Sequence, residues 1–263
     1  MNKKLLIIIS SIAAIAAISA AAWFVWKDLG VGSENPIPSN GGSVGGVDYE
    51  ATTTPNTIGA EKDVEYKSLA AKIASQPIIF KTGVSESSQA KTRASIEDLY
   101  GRIKADYNNL GLWIDLGLLR QTAGDYSGAK EAFEFANEVF PKNYVSFQDL
   151  GFLYGFYLQN PVESEKYYLK SLENDPTNAQ VYLDLTDVYF NFKTGVAKIP
   201  EFLSEAMKTV SDSDKLLLMA RLGRYYEEIK DYANAIKQYE EILAKDPSNT
   251  GLKAEVERLK ALL

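Results

Sequence analysis

The run Trp113-Ile-Asp-Leu116-Gly117 returns three times in the second half of this 263-residue chain, as Phe147-Gln-Asp-Leu150-Gly151, Tyr182-Leu-Asp-Leu185-Thr186 and Met219-Ala-Arg-Leu222-Gly223. From first residue to first residue the intervals are 34, 35 and 37. A period in this range belongs to stacked supersecondary units, each too small to bury its apolar face alone, rather than to a single enzyme core. The expected fold class is therefore all-α: helix pairs in series, an α-solenoid.

Each run is followed by a second helical segment. The first copy carries Ala129, Phe133 and then Pro141; the second Ser164, Tyr168 and Pro176; the fourth Ala235, Tyr239 and Pro247. Three copies place a tyrosine one turn after the Gly/Thr position (Tyr154, Tyr189, Tyr226), where the first has Arg120. Gly124-Asp-Tyr126 and Lys230-Asp-Tyr232 supply the turns between helices. Together these residues resemble the tetratricopeptide repeat, with its pattern W-x2-L-G-x2-Y, then A-x3-F, then P. The resemblance covers residues 110–249 and implies four repeats, 110–143, 144–178, 179–215 and 216–249.

Physical reasons for the pattern can be stated from the residues. Where two helices cross closely a large side chain would force the backbones apart, so Gly117 is expected to face Ala129, and Gly223 to face Ala235. Proline lacks the amide donor and ends the second helices. The third copy departs, with Thr186 for glycine, a longer stretch from Phe192 to Ile199, a second helix over 200–210 without the Ala/Phe pair, and no closing proline. Ahead of the repeats, residues 63–109 read as a capping region, with helical periodicity at Tyr66, Leu69, Ala70 and Ile73 and at Ile96, Leu99, Tyr100, Ile103 and Tyr107. Ile78, Ile79 and Phe80 are expected to pack there as well. After the repeats, 250–263 reads as a terminal helix with Leu252, Val256, Leu259 and Leu263 on its apolar side.

The amino-terminal part differs in kind. Residues 5–26 carry no charge and follow Lys3 and Lys4 in a short tail, 1–4. At 1.5 Å per residue they make roughly 33 Å of helix, enough for one membrane span, and the preceding lysines favour a cytoplasmic amino terminus with the repeats on the far side. The alternative is a cleaved signal peptide, for which Ala20-Ala21-Ala22 offers the small-residue site. Both readings export the repeats. Residues 27–62, rich in glycine, serine and proline, read as a flexible linker.

Composition narrows the chemistry. The chain has no histidine and no cysteine. This excludes Ser-His-Asp triads, cysteine nucleophiles and His/Cys metal sites, and no phosphate-loop or calcium-loop motif is present, so no catalytic residue, cofactor or metal is expected. Ser211-Asp-Ser-Asp214 reads as a helix start capped by Ser213 or Asp212 rather than as a metal site. Setting aside the three lysines of the first 27 residues, 25 basic side chains face 35 acidic ones. Such a balance argues against nucleic acid as a partner.

The resemblance implies instead a concave groove lined by the first helices of the repeats. Its residues would be Asp115 and Leu118; Asp149, Phe152 and Phe156; Asp184, Asp187 and Phe190; and Arg221 and Arg224. Aspartates beside aromatic rings would suit a protein or peptide segment of basic and apolar character, although a charged, solvated helix face carries the same residues. Three functions are compatible: a membrane-tethered scaffold, a holdase for exported polypeptides, and a carboxylate-dependent cell-wall hydrolase.

Overall fold

A computed structural model describes residues 59–263, and among these every regular element is a helix. The expected span at 5–26 and most of the expected linker lie outside the described residues. Within them, no helix is long and apolar enough to cross a membrane. The described chain divides into two compact units, residues 59–210 and 211–263.

The first unit opens with α1 (Ala60–Ile73) and α2 (Glu86–Ala105). Helix α1 starts inside the stretch read as linker, with Glu61 and Asp63 in its first turn, where acidic side chains complement the helix dipole. Two repeat pairs follow: α3 (Leu110–Ala123) with α4 (Tyr126–Val139), and α5 (Val145–Phe152), prolonged by a π-helical turn over Leu153–Tyr157, with α6 (Pro161–Asn174). The third pair is α7 (Ala179–Phe192), a 3-10 turn (Val196–Lys198) and the eight-residue α8 (Ile199–Ala206).

Ile96, Leu99, Tyr100 and Ile103 of α2 are buried, as are Tyr66, Ala70 and Ile73 of α1. They join the core that holds Trp113, Leu116 and Phe133, which is how the capping region closes the apolar end of the first repeat. Ile78 packs against this core, while Ile79 stays 59% exposed and does not. Arg120, standing where the other repeats have tyrosine, is itself buried. Its guanidinium pairs with Asp125 and donates to the Tyr100 hydroxyl, which in turn donates to Gln76 O at 3.0 Å. The exchange of Tyr for Arg therefore ties α2 to the first repeat by charge-assisted bonds.

The glycines meet different neighbours from those expected. A Cβ at Gly117 would run into the ring of Phe133, one at Gly223 into Tyr239, and one at Gly151 would lie 2.7 Å from the ring of Tyr168. The small residue makes room for the aromatic side chain four positions beyond the alanine. The alanines are buried, but the closest approach is to the ring.

A shared turn joins the helices of three pairs. Gly124, Gln159 and Lys230 adopt left-handed backbone (φ 87, 52 and 63°), and the next residue caps the second helix. Asp125 accepts from Gly128 N at 3.1 Å, Asn160 from Glu163 N at 3.1 Å, and Asp231 from Asn234 N at 3.2 Å. The third pair has left-handed Lys193, but Thr194 N turns back to Tyr189 O at 3.2 Å, so the chain detours through the 3-10 turn before α8.

The second unit contains α9 (Asp212–Glu228), α10 (Tyr232–Lys245) and α11 (Thr250–Lys260). Ser211 caps α9, accepting from Asp214 N at 3.2 Å, so the cap lies before both residues expected from the sequence. Asp214 instead takes the Ser211 hydroxyl at 2.6 Å, completing a reciprocal cap of short reach. Leu252, Val256 and Leu259 of α11 are buried with Ala235, Ile236, Tyr239 and Ile242 of α10.

Candidate functional site

Of the ten residues implied by the resemblance, eight lie in the first unit and two, Arg221 and Arg224, on α9 of the second. Asp115 on α3 is exposed, yet atoms packed around its carboxyl push its ionisation up, against the pull of Arg102. Leu118 is half-buried against the core. Asp184 accepts from Gln180 Nε2 at 2.6 Å, and Asp187 and Phe190 are half-buried on the same helix. Arg221 is half-buried and Arg224 exposed.

The structure concentrates the unusual chemistry on α5. The rings of Phe152 and Phe156 lie 4.8 Å apart and both are half-buried; Phe152 also meets Tyr157 at 5.8 Å, and Tyr157 meets Tyr126 at 4.8 Å. This aromatic step sits on the π-helical turn, where Leu158 N donates to Leu153 O, five residues back, at 2.9 Å. One turn before Phe152 comes Asp149. The residue keeps some exposed surface, but its Oδ2 has none and makes no hydrogen bond. Burial alone pushes its carboxyl up to about 7.

A second such group belongs to a residue of the repeat pattern. Tyr168 of α6 lies over Gly151 and is fully buried, and its hydroxyl is a second sealed group with no hydrogen-bond partner. Burial, and then the charges of Asp184, Asp149 and Asp187, hold its ionisation far above the ordinary tyrosine range. The sequence spaces these three aspartates one repeat or one turn apart.

Two sequence signals mark this place. Glycine to aromatic spans 16 residues from Gly117 to Phe133 and from Gly223 to Tyr239, but 17 from Gly151 to Tyr168; the π-helical turn absorbs the extra residue. In the fourth repeat the Tyr239 hydroxyl donates to Glu227 Oε1 at 2.5 Å, four residues after Gly223. The position four after Gly151 is Gly155, which offers no acceptor side chain. Trp113, Phe133, Tyr182 and Tyr239 are buried.

A cleft of about 490 Å³ lies elsewhere, bordered by Glu134, Asn137, Phe147, Tyr167 and Lys170. None of the ten residues lines it, and Lys170 already covers the ring of Phe147 at 5.7 Å. The cleft has an unpartnered polar atom of its own, Asn137 Nδ2, besides those of Asp149 on α5 and Tyr168 on α6.

Residues 218–249 match the tetratricopeptide repeat family. That segment is most of α9, all of α10 and the turn beyond it, the fourth of the repeats read from the sequence. No curated protein matches the chain. Among solved structures, a crystal structure of MamA aligns with 62% of this chain and 96% of its own at 17% identity and a TM-score of 0.49. A second crystal structure of MamA protein aligns with 58% and 88% at 22% identity and a TM-score of 0.44.

Proposed function

We propose that this protein is an interaction scaffold that binds a protein segment along the first helices of its repeats, tethered to the cytoplasmic membrane through residues 5–26 and displayed outside the cytoplasm. The observation that carries the binding role is the surface of α5, where paired aromatic rings lie within one to two turns of a carboxyl oxygen without a hydrogen-bond partner among the described residues. Apolar surface beside spare acceptor capacity is what a protein segment covers favourably. The match of residues 218–249 supports the reading, because helix-pair arrays present extended surfaces of this kind. The uncharged run behind Lys3 and Lys4 supports the tether. Anchoring in two dimensions raises the effective concentration of the array for partners at the same surface.

A photoreactive residue in place of Phe152 of the full chain, crosslinked in cells and read by mass spectrometry, tests the binding role. One dominant partner, lost in Phe156→Ala, is the expected result; absence of any crosslink overturns it. The aromatic step on α5 also favours a holdase, which the same experiment separates as a spread of unrelated exported polypeptides. The chain has no cysteine, so Lys91→Cys introduces a single thiol on exposed α2. Labelling of that thiol by a membrane-impermeant maleimide in intact cells is expected, and protection until lysis would reject the display outside the cytoplasm.

A further inference from the structure

We infer that the hollow between α4 and α6 is a second docking site, for a helical segment of a protein partner that brings one Lys or Arg side chain to Glu134. The site lies on the second helices of the repeats and does not depend on the first-helix surface proposed above. Its shape follows from a comparison within the molecule. Helix α1 packs on both α2 and α4, with the Tyr66 ring 5.9 Å from Phe135 and 6.4 Å from Tyr107. Phe135 in turn meets Trp113, ring to ring, at 4.2 Å. The outer side of the first repeat is thus filled by a helix. One repeat on, Phe147 stands for Trp113, and Lys170, two residues after Tyr168 as Phe135 is two after Phe133, stands for Phe135. Lys170 covers the Phe147 ring at 5.7 Å, and beside the pair lies the hollow of about 490 Å³ where the first repeat has α1.

The walls select the charge of the occupant. Glu134 and Glu138 line the α4 side, Lys170 and Glu173 the α6 side, and Phe147 and Tyr167 add rings 6.5 Å apart. Glu138, Lys170 and Glu173 are exposed, so the hollow opens to solvent, and its volume is that of clefts that take ligands. Glu138 already has the Tyr66 hydroxyl as a donor. Glu134 and Glu173 make no hydrogen bond or ion pair among the described residues, and Lys170, in the same hollow, pairs with neither. Packing around the half-buried Glu134 pushes its ionisation up, so a donor cation brought to it meets a carboxyl less screened than one in open water. The rings offer an apolar bed to the aliphatic stem of such a side chain.

The test uses the full chain in lipid nanodiscs and a phage library of random 12-residue peptides, selected on the parent protein and depleted on Glu134→Gln. Surviving peptides are expected to carry a Lys or Arg within an apolar, helix-forming sequence. A synthetic copy should bind Glu134→Gln about five- to tenfold more weakly than the parent, between the scale of an exposed ion pair and that of a charge-assisted bond. Lys170→Met, which removes the competing cation, should bind it more tightly than the parent does. Norleucine in place of its basic residue should abolish both differences, and Phe152→Ala should leave the affinity unchanged. Circular dichroism checks that each variant is folded, and Glu134→Gln keeps the size of the side chain. No surviving peptide, survivors without a basic residue, or affinity that norleucine leaves unchanged overturns the site. Binding lost in Phe152→Ala instead puts the peptide on the first-helix surface, which overturns this site and leaves the earlier reading standing. A chain that is dimeric in detergent by mass photometry and monomeric as Glu134→Gln gives the hollow to a second copy, and likewise overturns the partner.

Discussion

Tyr168 and Tyr239 occupy the same place in two repeats, each over a glycine of the preceding helix, and differ in the fate of one hydroxyl. Tyr239 donates to Glu227, held in turn by Arg258, so the chain of bonds ends in solvent-exposed charge. Tyr168 is buried, and its hydroxyl has no hydrogen-bond partner among the described residues. The aromatic ring serves packing in both, because removing the glycine would disturb either pair. Two differences separate them: Glu227 in one stands where the other has Gly155, and the π-helical turn adds a residue between Gly151 and Tyr168. A fold held by apolar packing can tolerate an unsatisfied polar group of about 1–3 kcal/mol, and it is at such places that a binding function can be accommodated.

The sharpest contrast with the unpaired Asp149 is the buried charge of Arg120, which has both Asp125 and the Tyr100 hydroxyl. Arg120→Ala strands the Asp125 carboxylate and should cost about 3–5 kcal/mol, read as a lower urea midpoint at unchanged slope. Asp149→Asn should move stability the other way. The folded carboxyl titrates at about 7, above its ordinary value, so the folded state holds a proton that the unfolded chain releases earlier. The associated stability is complete below about pH 4, is lost as pH rises toward 7, and is gone above it. At about 1.4 kcal/mol per pH unit the gain of Asn over Asp reaches at most about 4 kcal/mol above pH 7 and vanishes near pH 4. Urea melts at pH 4 and pH 8 decide this; an equal difference at both would show that the carboxyl is not the cause.

Gly151→Ala and Gly223→Ala put a methyl group against Tyr168 and Tyr239, and each should lose about 1–3 kcal/mol through overpacking. Thermal melts read both, and restoration of Gly151→Ala by Tyr168→Leu would tie the loss to the ring. The smallest pair of effects bears directly on the two hydroxyls. Tyr239→Phe should cost about 1 kcal/mol for its lost bond to Glu227, whereas Tyr168→Phe should be neutral or stabilise by about the same amount, since it deletes an unsatisfied group. A loss at both positions would mean that Tyr168 has a partner in the folded protein.

The period of about 34 residues, the Gly-to-aromatic spacing and the turn residues Gly124-Asp125 and Lys230-Asp231 made the helix pairs legible in the sequence, because helix geometry and turn chemistry are local. The resemblance to the repeat family implied one helix face for Phe152, Phe156 and Asp149. It named the wrong neighbour for Gly117 and Gly223, since a contact between helices depends on how far a ring reaches from the next turn. The cap on α9 fell to Ser211 instead of Ser213 or Asp212, a choice that depends on where α9 starts. By itself the sequence determined an all-α repeat array with no histidine or cysteine chemistry. Only the tertiary structure decided that the Arg120 guanidinium would gain a carboxylate and a hydroxyl at its terminal nitrogens while the Asp149 Oδ2 gained no partner among the described residues, because satisfaction of a buried polar group depends on what the neighbouring helices bring to it. For Arg120 they bring Asp125 and Tyr100; around the Asp149 Oδ2 they bring burial alone.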